Sequence, residues 1–191
     1  MVKSRRRGRE LALRGLYEMD ITRVNPEKVL ADTVSNHEMS EEHRAYAERV
    51  IRGVHQHSQY IDDTLAARIK EYDFARIAAI DRNILRIATY ELFFEPAIPP
   101  AVTLNEAIEI AKKYSTAESG KFVNGVLGRV LADSEKANWD PTSAPGEEPE
   151  TEQIRSGDDL PEIEEVSLES GSEEERHIAR IAGWKIRSDP E

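Results

Sequence analysis

The 191-residue chain contains no cysteine, and this absence excludes several functional classes. Without a thiol there is no disulfide scaffold, no thiolate metal site and no cysteine nucleophile. The chain also lacks a P-loop, a Gly-x-Gly-x-x-Gly fingerprint and any nucleophile-plus-base pattern. His55 and His57 would point in opposite directions on a helix, so they are poorly placed to share a metal ion. We therefore expect no enzymatic activity, no cofactor and no bound metal.

Long hydrophobic segments are missing as well. No apolar run approaches the roughly 20 residues that a membrane-spanning helix needs, so no membrane partner is expected. The first 20 residues have no continuous apolar stretch of the kind found in secretory signals. They also carry Glu10, Glu18 and Asp20, which argue against a mitochondrial presequence. These features predict a cytoplasmic protein.

The net charge of −11 is distributed unevenly along the chain. Residues 1–133 hold 20 basic and 20 acidic side chains, whereas residues 134–191 hold 6 basic and 17 acidic ones. Residues 1–15 contain six basic side chains and a single acid, Glu10. The chain therefore has a neutral body, a basic beginning and an acidic end.

Apolar residues at three- and four-residue spacing predict a succession of helices in the body. Seven are expected, at about residues 5–21, 26–34, 40–54, 61–69, 77–92, 103–114 and 121–131. No convincing alternation of apolar and polar residues indicates a strand. The predicted fold class is all-α, with a compact bundle of about seven helices as the architecture.

The last two predicted helices carry local signals of their own. Thr103 and Glu106 have the spacing of a capping box, which predicts a helix start at Thr103. Residues 115–120 are expected to form a polar turn. Gly125 and Gly128 lie inside the apolar stripe of the last helix, where each costs about 1 kcal/mol relative to alanine. We interpret these two glycines as positions of tight helix packing, with close approach of a ligand as the alternative.

From Asp140 onward the composition changes to proline, serine, glycine and acidic residues. Such a segment buries too little apolar surface to offset the entropy of ordering. We predict one helical domain at residues 1–133 and an acidic, largely disordered tail at residues 134–191. A short helix is possible within that tail at residues 173–187.

The basic beginning of the chain has the wrong charge for a helix start. The residues concerned are Lys3, Arg5, Arg6, Arg7 and Arg9, and cations at a helix N-terminus oppose the helix dipole. Guanidinium groups bind phosphate in a bidentate manner and stack on bases, which suits single-stranded RNA. The alternative is a solvated, frayed terminus.

Four segments of the chain resemble the NusB family of bacterial transcription antitermination and ribosomal RNA synthesis factors. They are RRRGRELALRGLY at 5–17, ILRIATYEL at 84–92, VTLNEAIEIAKKY at 102–114 and KFVNGVLGRV at 121–130. The similarity extends over about residues 3–133. It implies two three-helix bundles packed across each other with an additional helix.

The resemblance also implies a function and a set of partners. A member of this family binds the boxA element of nascent ribosomal RNA transcripts as a heterodimer with NusE, a small-subunit ribosomal protein. The pair then joins an RNA polymerase complex with other Nus factors, and that complex resists termination.

The family's functional positions can be matched to residues of this chain. Its RNA-binding arginine segment matches Arg5, Arg6, Arg7 and Arg9, with Lys3 beside it, and its RNA-facing residues in the last helix match Lys121 and Phe122. Tyr17 matches a tyrosine near the junction of the RNA and NusE surfaces. The NusE surface would include Asp81 and Arg82, on an exposed face of the long fifth helix. Spacing alone favours a core position for Phe122, but the neighbouring Lys121 and the resemblance favour an RNA contact.

Two other functions are compatible with such a domain. One is a NusB-like RNA-binding or protein-interaction module without an antitermination role. The other is the NusB-like domain found at the front of RNA cytosine methyltransferases. That version requires a catalytic domain with a cysteine nucleophile, and the sequence contains neither.

Overall fold

The computed structural model describes residues 5–34, 39–69 and 73–139 of the chain. These ranges contain seven α-helices and no strand, which confirms the predicted all-α class. The helices are α1 (Arg6–Thr22), α2 (Pro26–Val29), α3 (Glu41–Gln56), α4 (Ser58–Arg68), α5 (Ala79–Phe94), α6 (Pro100–Tyr114) and α7 (Ala117–Asp133). A π-helical turn (Leu30–Val34) extends α2, and short 3-10 turns precede α5 (Phe74–Arg76) and follow α7 (Glu135–Asn138).

The helices pack as two groups of three. Helices α1, α2 and α3 contact one another around a core that includes Leu16, Val29 and Ile51. Helices α5, α6 and α7 form the second group, and α4 packs against α5 and α7. Contacts of α1 with α5 join the two groups. This is the arrangement that the resemblance implied.

The starts of α2 and α3 follow from local sequence chemistry. The Asn25 side chain accepts a hydrogen bond from the Lys28 backbone N–H, and Pro26 occupies the first helical position, where its missing N–H costs nothing. Ser40 precedes α3, whose first turn carries Glu41 and Glu42 in favourable positions for the helix dipole.

The capping box predicted at Thr103 and Glu106 is wrong. Helix α6 begins three residues earlier, at Pro100, because proline is preorganised for the first helical position. Thr103 therefore lies inside the helix, and its hydroxyl donates to Glu91 at 2.7 Å. Glu106 accepts hydrogen bonds from Arg6 of α1.

Helix α7 also begins earlier than predicted. The Thr116 hydroxyl accepts a hydrogen bond of 3.0 Å from the Ser119 backbone N–H, so the polar turn ends at Thr116 and α7 starts at Ala117. The tight packing predicted at Gly125 and Gly128 is wrong, because both glycines are exposed. A Cβ atom at Gly128 would have no neighbour within 4 Å.

Close packing occurs at other glycines. A Cβ atom at Gly53 of α3 would overlap the ring of Tyr90 on α5. At Gly8 of α1 it would lie 2.7 Å from the Tyr46 ring. These two positions let α3 approach α5 and α1 closely.

The folded body continues beyond the boundary predicted at Asp133. In the 3-10 turn after α7, the buried Lys136 ammonium donates to the backbone oxygens of Glu91 (2.7 Å), Glu95 (2.6 Å) and Ile98 (2.6 Å). Burial lowers the pKa of Lys136 to about 8, so the group is mostly protonated at neutral pH. The disorder predicted from Ser134 is therefore wrong for residues 134–139. The rest of the predicted tail, with the possible helix at 173–187, lies outside the described residues.

Within the described residues no helix is long and apolar enough to cross a membrane. They contain no group of three or more His, Asp or Glu side chains that could hold a metal ion.

Candidate nucleic-acid interface

The arginines at the start of α1 do not all face the same way. Arg7 is exposed, Arg5 and Arg6 are partly exposed, and Arg9 retains only 2% of its accessible surface. Lys3 lies outside the described residues. The accessible cations at this end of α1 are therefore Arg5, Arg6 and Arg7.

Arg9 is buried and anchors α1 to the rest of the fold. The prediction that Arg9 contacts RNA is therefore not supported by its position. Its guanidinium donates from Nε and Nη2 to the two carboxylate oxygens of Glu91 at 2.8 and 3.1 Å. The hydroxyls of Tyr46 and Thr103 also donate to this carboxylate. Burial alone would raise the pKa of Glu91, but Arg9 and these hydrogen bonds hold it below its usual value. An ionised Glu91 thus ties α1, α3 and α6 to α5.

Arg6 is held by a carboxylate from a different helix. Its Nε and Nη2 donate to the two oxygens of Glu106 on α6 at 2.9 and 2.8 Å, and 35% of the side chain stays accessible. No acidic residue lies in the first turn of α1, and Arg5 provides no side-chain cap. The carboxylates that balance these arginines come from α5 and α6, which explains how α1 tolerates positive charge at its N-terminus.

The C-terminal end of α6 adds a cation and an aromatic ring beside α1. The Lys113 ammonium donates to Glu10 at 2.9 Å and lies 4.9 Å from the centre of the Tyr114 ring. Burial, together with the charge of Glu10, raises the pKa of the half-buried Tyr114. Lys113 and Tyr114 were not among the predicted site residues.

The start of α7 presents the other half of the predicted RNA surface. Lys121 is exposed and pairs with Glu118 at 3.0 Å. Phe122 is half-buried and lines an open cleft of about 480 Å³. The other residues that line this cleft are Asp73, Arg76, Ile77, Asp81, Thr116, Glu118 and Ser119. Phe122 is therefore partly accessible and is not a plain core residue.

The prediction that Asp81 and Arg82 lie on an exposed face is wrong for Asp81, which is buried, while Arg82 is partly buried. Their contact with NusE stays a prediction. Asp81 is only 7% exposed and accepts a hydrogen bond of 2.8 Å from the Ser119 hydroxyl, at the edge of the cleft. Arg82 is partly buried and donates to Asp20 (2.7 Å) and to the backbone oxygens of Ala75 and Ile77. These two residues connect α5 with α7, α1 and the preceding 3-10 turn.

Tyr17 is accessible enough for the contact with RNA or NusE that the resemblance implied. Its side chain is half-buried, and Ile21, one turn further along the same face of α1, is 48% exposed. Asp20 between them accepts from Arg82 and Asn83. Burial would raise the pKa of Asp20, yet Arg82 and Arg86 hold it below its usual value. The C-terminal half of α1 is thereby fixed to α5.

Comparison with protein families identifies the fold and its relatives. The NusB family model matches residues 6–132. The chain belongs to the NusB family. The resemblance found in its four segments is thus confirmed.

Two curated relatives of this NusB-family chain share the same name. The transcription antitermination protein NusB of Trichlorobacter lovleyi is 43% identical over 128 residues, which cover 67% of this chain and 90% of the relative. The protein of the same name from Symbiobacterium thermophilum is 39% identical over 136 residues, covering 67% of this chain and 89% of the relative.

Solved structures agree with this assignment to the NusB family. NusB of T. maritima superposes with a TM-score of 0.67 at 37% identity, over 72% of this chain and 97% of that one. A chain from the crystal structure of antitermination factors NusB and NusE in complex with dsRNA gives a TM-score of 0.64 at 26% identity. That match covers 70% of this chain and 99% of the other.

The carboxylates that organise this NusB-family site were missed at the sequence level. Glu91 lies 82 residues from Arg9 along the chain, and Glu106 lies 100 residues from Arg6. A signal for Glu91 does exist, because it is the single acid within the apolar run ILRIATYEL. A lone carboxylate in such a run indicates a buried charge that needs a cationic partner.

Proposed function

We propose that this NusB-family chain is a transcription antitermination factor that binds boxA-type RNA of nascent ribosomal RNA transcripts together with NusE. It then joins the RNA polymerase antitermination complex with other Nus factors. Its curated relatives carry the antitermination name, and a structural neighbour was solved with NusE and dsRNA. A factor that acts on nascent bacterial transcripts would do so in the cytoplasm, which is the localisation we propose.

The observation that carries the proposal is the grouping of accessible cations and an aromatic ring at two helix starts. Arg5, Arg6 and Arg7 begin α1, and Lys121 and Phe122 lie in the early turns of α7. Cations supply affinity for the phosphate backbone, and aromatic rings stack on unpaired bases. Such a surface suits single-stranded RNA, and Tyr17 supplies a contact for RNA or NusE beside it.

The mechanism that follows is assembly without catalysis. The chain and NusE each contact the same short RNA, so binding of one raises the effective concentration of the other. The bound RNA then connects the pair to the transcribing polymerase. No bond is made or broken by the protein in this scheme.

The proposal is tested by titrating boxA-like RNA and a scrambled RNA of the same length into the chain, with and without NusE. We expect tighter binding of the boxA-like RNA and a further gain when NusE is present. Equal affinity for the two RNAs would contradict the proposal. Binding of NusE with no gain from RNA would favour the protein-interaction module instead.

The salt dependence of the same titration tests how many basic side chains contact RNA phosphates. Five of them are expected to neutralise phosphates: Lys3, Arg5, Arg6, Arg7 and Lys121. The slope of log affinity against log salt should then be about −3.5 on a single strand. A double replacement of Arg5 and Arg7 by alanine keeps the Arg6–Glu106 pair and should reduce the slope to about −2. Arg52→Ala removes a cation that pairs with Glu27 on the exposed surface of α3 and serves as the control.

A further inference from the structure

Helix α6 lies between the two halves of the proposed RNA surface. On one side it contacts the start of α1, where Glu106 holds Arg6. On the other side it packs against the first turn of α7, since a Cβ atom at Gly120 would lie 3.0 Å from Lys112 Cγ and 3.7 Å from the Ile108 oxygen. An RNA strand that contacts both halves therefore has to cross the last turns of α6.

Those last turns present a cation next to an aromatic ring. The Lys113 side chain is 44% exposed, and its ammonium lies 4.9 Å from the centre of the Tyr114 ring. Tyr114 is half-buried, so part of the ring remains accessible. A groove of cations with interspersed rings is the usual equipment for single strands, because every base has a face that can stack.

The Lys113 ion pair with Glu10 is only partly buried, with 44% of the Lys113 side chain and 17% of the Glu10 side chain accessible. The Lys113 ammonium therefore remains within reach of a ligand in solution. A phosphate carries the same sign of charge as the Glu10 carboxylate and can replace it as the acceptor. In that exchange the Lys113 ammonium leaves its present position 4.9 Å from the centre of the Tyr114 ring.

We propose that Lys113 and Tyr114 form the middle section of the RNA-binding surface, with Lys113 contacting a phosphate and Tyr114 stacking on a base. The inference rests on the proposed function, because it names further contacts for the same single-stranded RNA. It connects Arg6 on α1 to Lys121 and Phe122 on α7 by one continuous path. Neither residue contacts the buried Glu91 network, so both can be replaced without disturbing it.

The first test replaces Lys113 by alanine in the full chain and measures binding of boxA-like single-stranded RNA over a salt series. We expect weaker binding and a slope that is less negative by about 0.7, the value for one phosphate contact on a single strand. Arg52→Ala removes one cation from an exposed ion pair on α3 and should change neither quantity.

The second test concerns the ring. Tyr114→Phe keeps the ring and should bind RNA within about twofold of the wild type, whereas Tyr114→Leu should weaken binding by about 5- to 150-fold. Thermal unfolding establishes that the leucine variant is folded. Because this variant could lose stability, wild-type protein is also cross-linked to RNA containing 4-thiouridine. The cross-linked peptide should contain Tyr114.

The outcomes separate this inference from the proposed function. If wild-type protein does not distinguish boxA-like from scrambled RNA, both fail together. If wild-type protein binds boxA-like RNA while Lys113→Ala and Tyr114→Leu bind it unchanged, the inference alone is wrong. Loss of NusE binding in these variants, with RNA affinity intact, would assign the two residues to a protein contact and would equally overturn it.

Discussion

At the scale of single residues, Glu91 explains why an arginine-rich helix start is stable. Its carboxylate accepts from Arg9 on α1, Tyr46 on α3 and Thr103 on α6. A buried carboxylate with this many donors stays ionised, and the fold lowers its pKa below the ordinary value of 4.5. The group therefore joins four helices through one charge.

Replacing Glu91 by glutamine should destabilise the protein by about 3–5 kcal/mol at pH 7, because Arg9 would remain buried without its hydrogen-bonded counter-charge. Only Glu106 would be left, at 4.0 Å from the Arg9 Nη1. The wild-type carboxylate has a lowered pKa in the folded state. Its contribution is therefore fully present above about pH 4.5 and is lost as the pH falls further. Urea unfolding at pH 7, 5 and 3 should show a smaller loss of stability with acid in the variant than in the wild type.

A control for this experiment is Glu109→Gln on α6. Glu109 pairs with Lys112 three residues away on an exposed surface, so its replacement should change stability by less than about 0.5 kcal/mol. If Glu91→Gln behaved like this control, the Arg9–Glu91 pair would not be the anchor of α1.

The identity of these arginine partners could not be predicted from local sequence. The unusual charge at the start of α1 indicated that the guanidinium groups serve something other than the helix itself. Which of Arg6, Arg7 and Arg9 turns inward depends on acids that the fold brings from 82 to 100 residues away. Periodicity assigns a residue to a helix face, but it does not identify the residues that pack against that face.

At the scale of helices, α7 keeps two glycines on its exposed side. Nothing lies within 4 Å of a Cβ atom at Gly128, and at Gly125 its nearest neighbour is Arg129 Nη2, at 3.9 Å. Packing therefore does not require glycine at either position. Each glycine costs about 1 kcal/mol relative to alanine in a helix interior, and no close contact of either glycine within the described residues offsets that cost.

Replacing Gly125 or Gly128 by alanine should stabilise the protein by about 1 kcal/mol each, since alanine restricts the unfolded chain and favours the helix. Gly53→Ala should do the opposite, because its Cβ atom would overlap the Tyr90 ring between α3 and α5. Thermal unfolding of the three variants measures the contrast. Destabilisation by Gly128→Ala would mean that this face of α7 is covered.

Helix existence was easier to predict than helix ends. Strong three- and four-residue periodicity placed α1, α3 and α5 close to their observed ranges. The start of α6 was missed because the Thr103–Glu106 spacing fits a capping box, whereas Pro100 already begins the helix. Both residues of the apparent box serve tertiary contacts instead, with Glu91 and Arg6.

At the scale of the whole molecule, the 3-10 turn after α7 belongs to the folded domain, because it packs against the C-terminal end of α5. Lys136 donates to three backbone oxygens at and beyond the C-terminal end of α5, where helix carbonyls lack partners within the helix. The Glu95 oxygen also accepts from the Ile98 backbone N–H at 3.1 Å. Composition predicted the end of the domain at Asp133, because the following residues look like the beginning of the acidic tail. Amino-acid composition does not reveal that one side chain, Lys136, extends back to the end of α5 and hydrogen-bonds there.

A chain that ends at Asp133 should be less stable than a chain that ends at Trp139. The shorter chain loses Lys136 and leaves buried carbonyl groups without donors, at about 1–3 kcal/mol for each group that water does not reach. Differential scanning calorimetry of the two truncated chains gives the comparison. A third chain, ending at Trp139 and carrying Lys136→Met, should resemble the shorter one. Equal stability of all three would place the domain boundary at Asp133 after all.

For the RNA contact proposed at Arg6, the pairing with Glu106 also has a kinetic consequence. Immobilising a long side chain on binding costs about 0.5–1.5 kcal/mol, and at Arg6 the fold has already fixed the geometry. An arriving strand meets a preorganised guanidinium instead of one that must still be ordered. Association at this end of α1 should then be set by diffusion and electrostatic steering, with rates that fall as ionic strength rises.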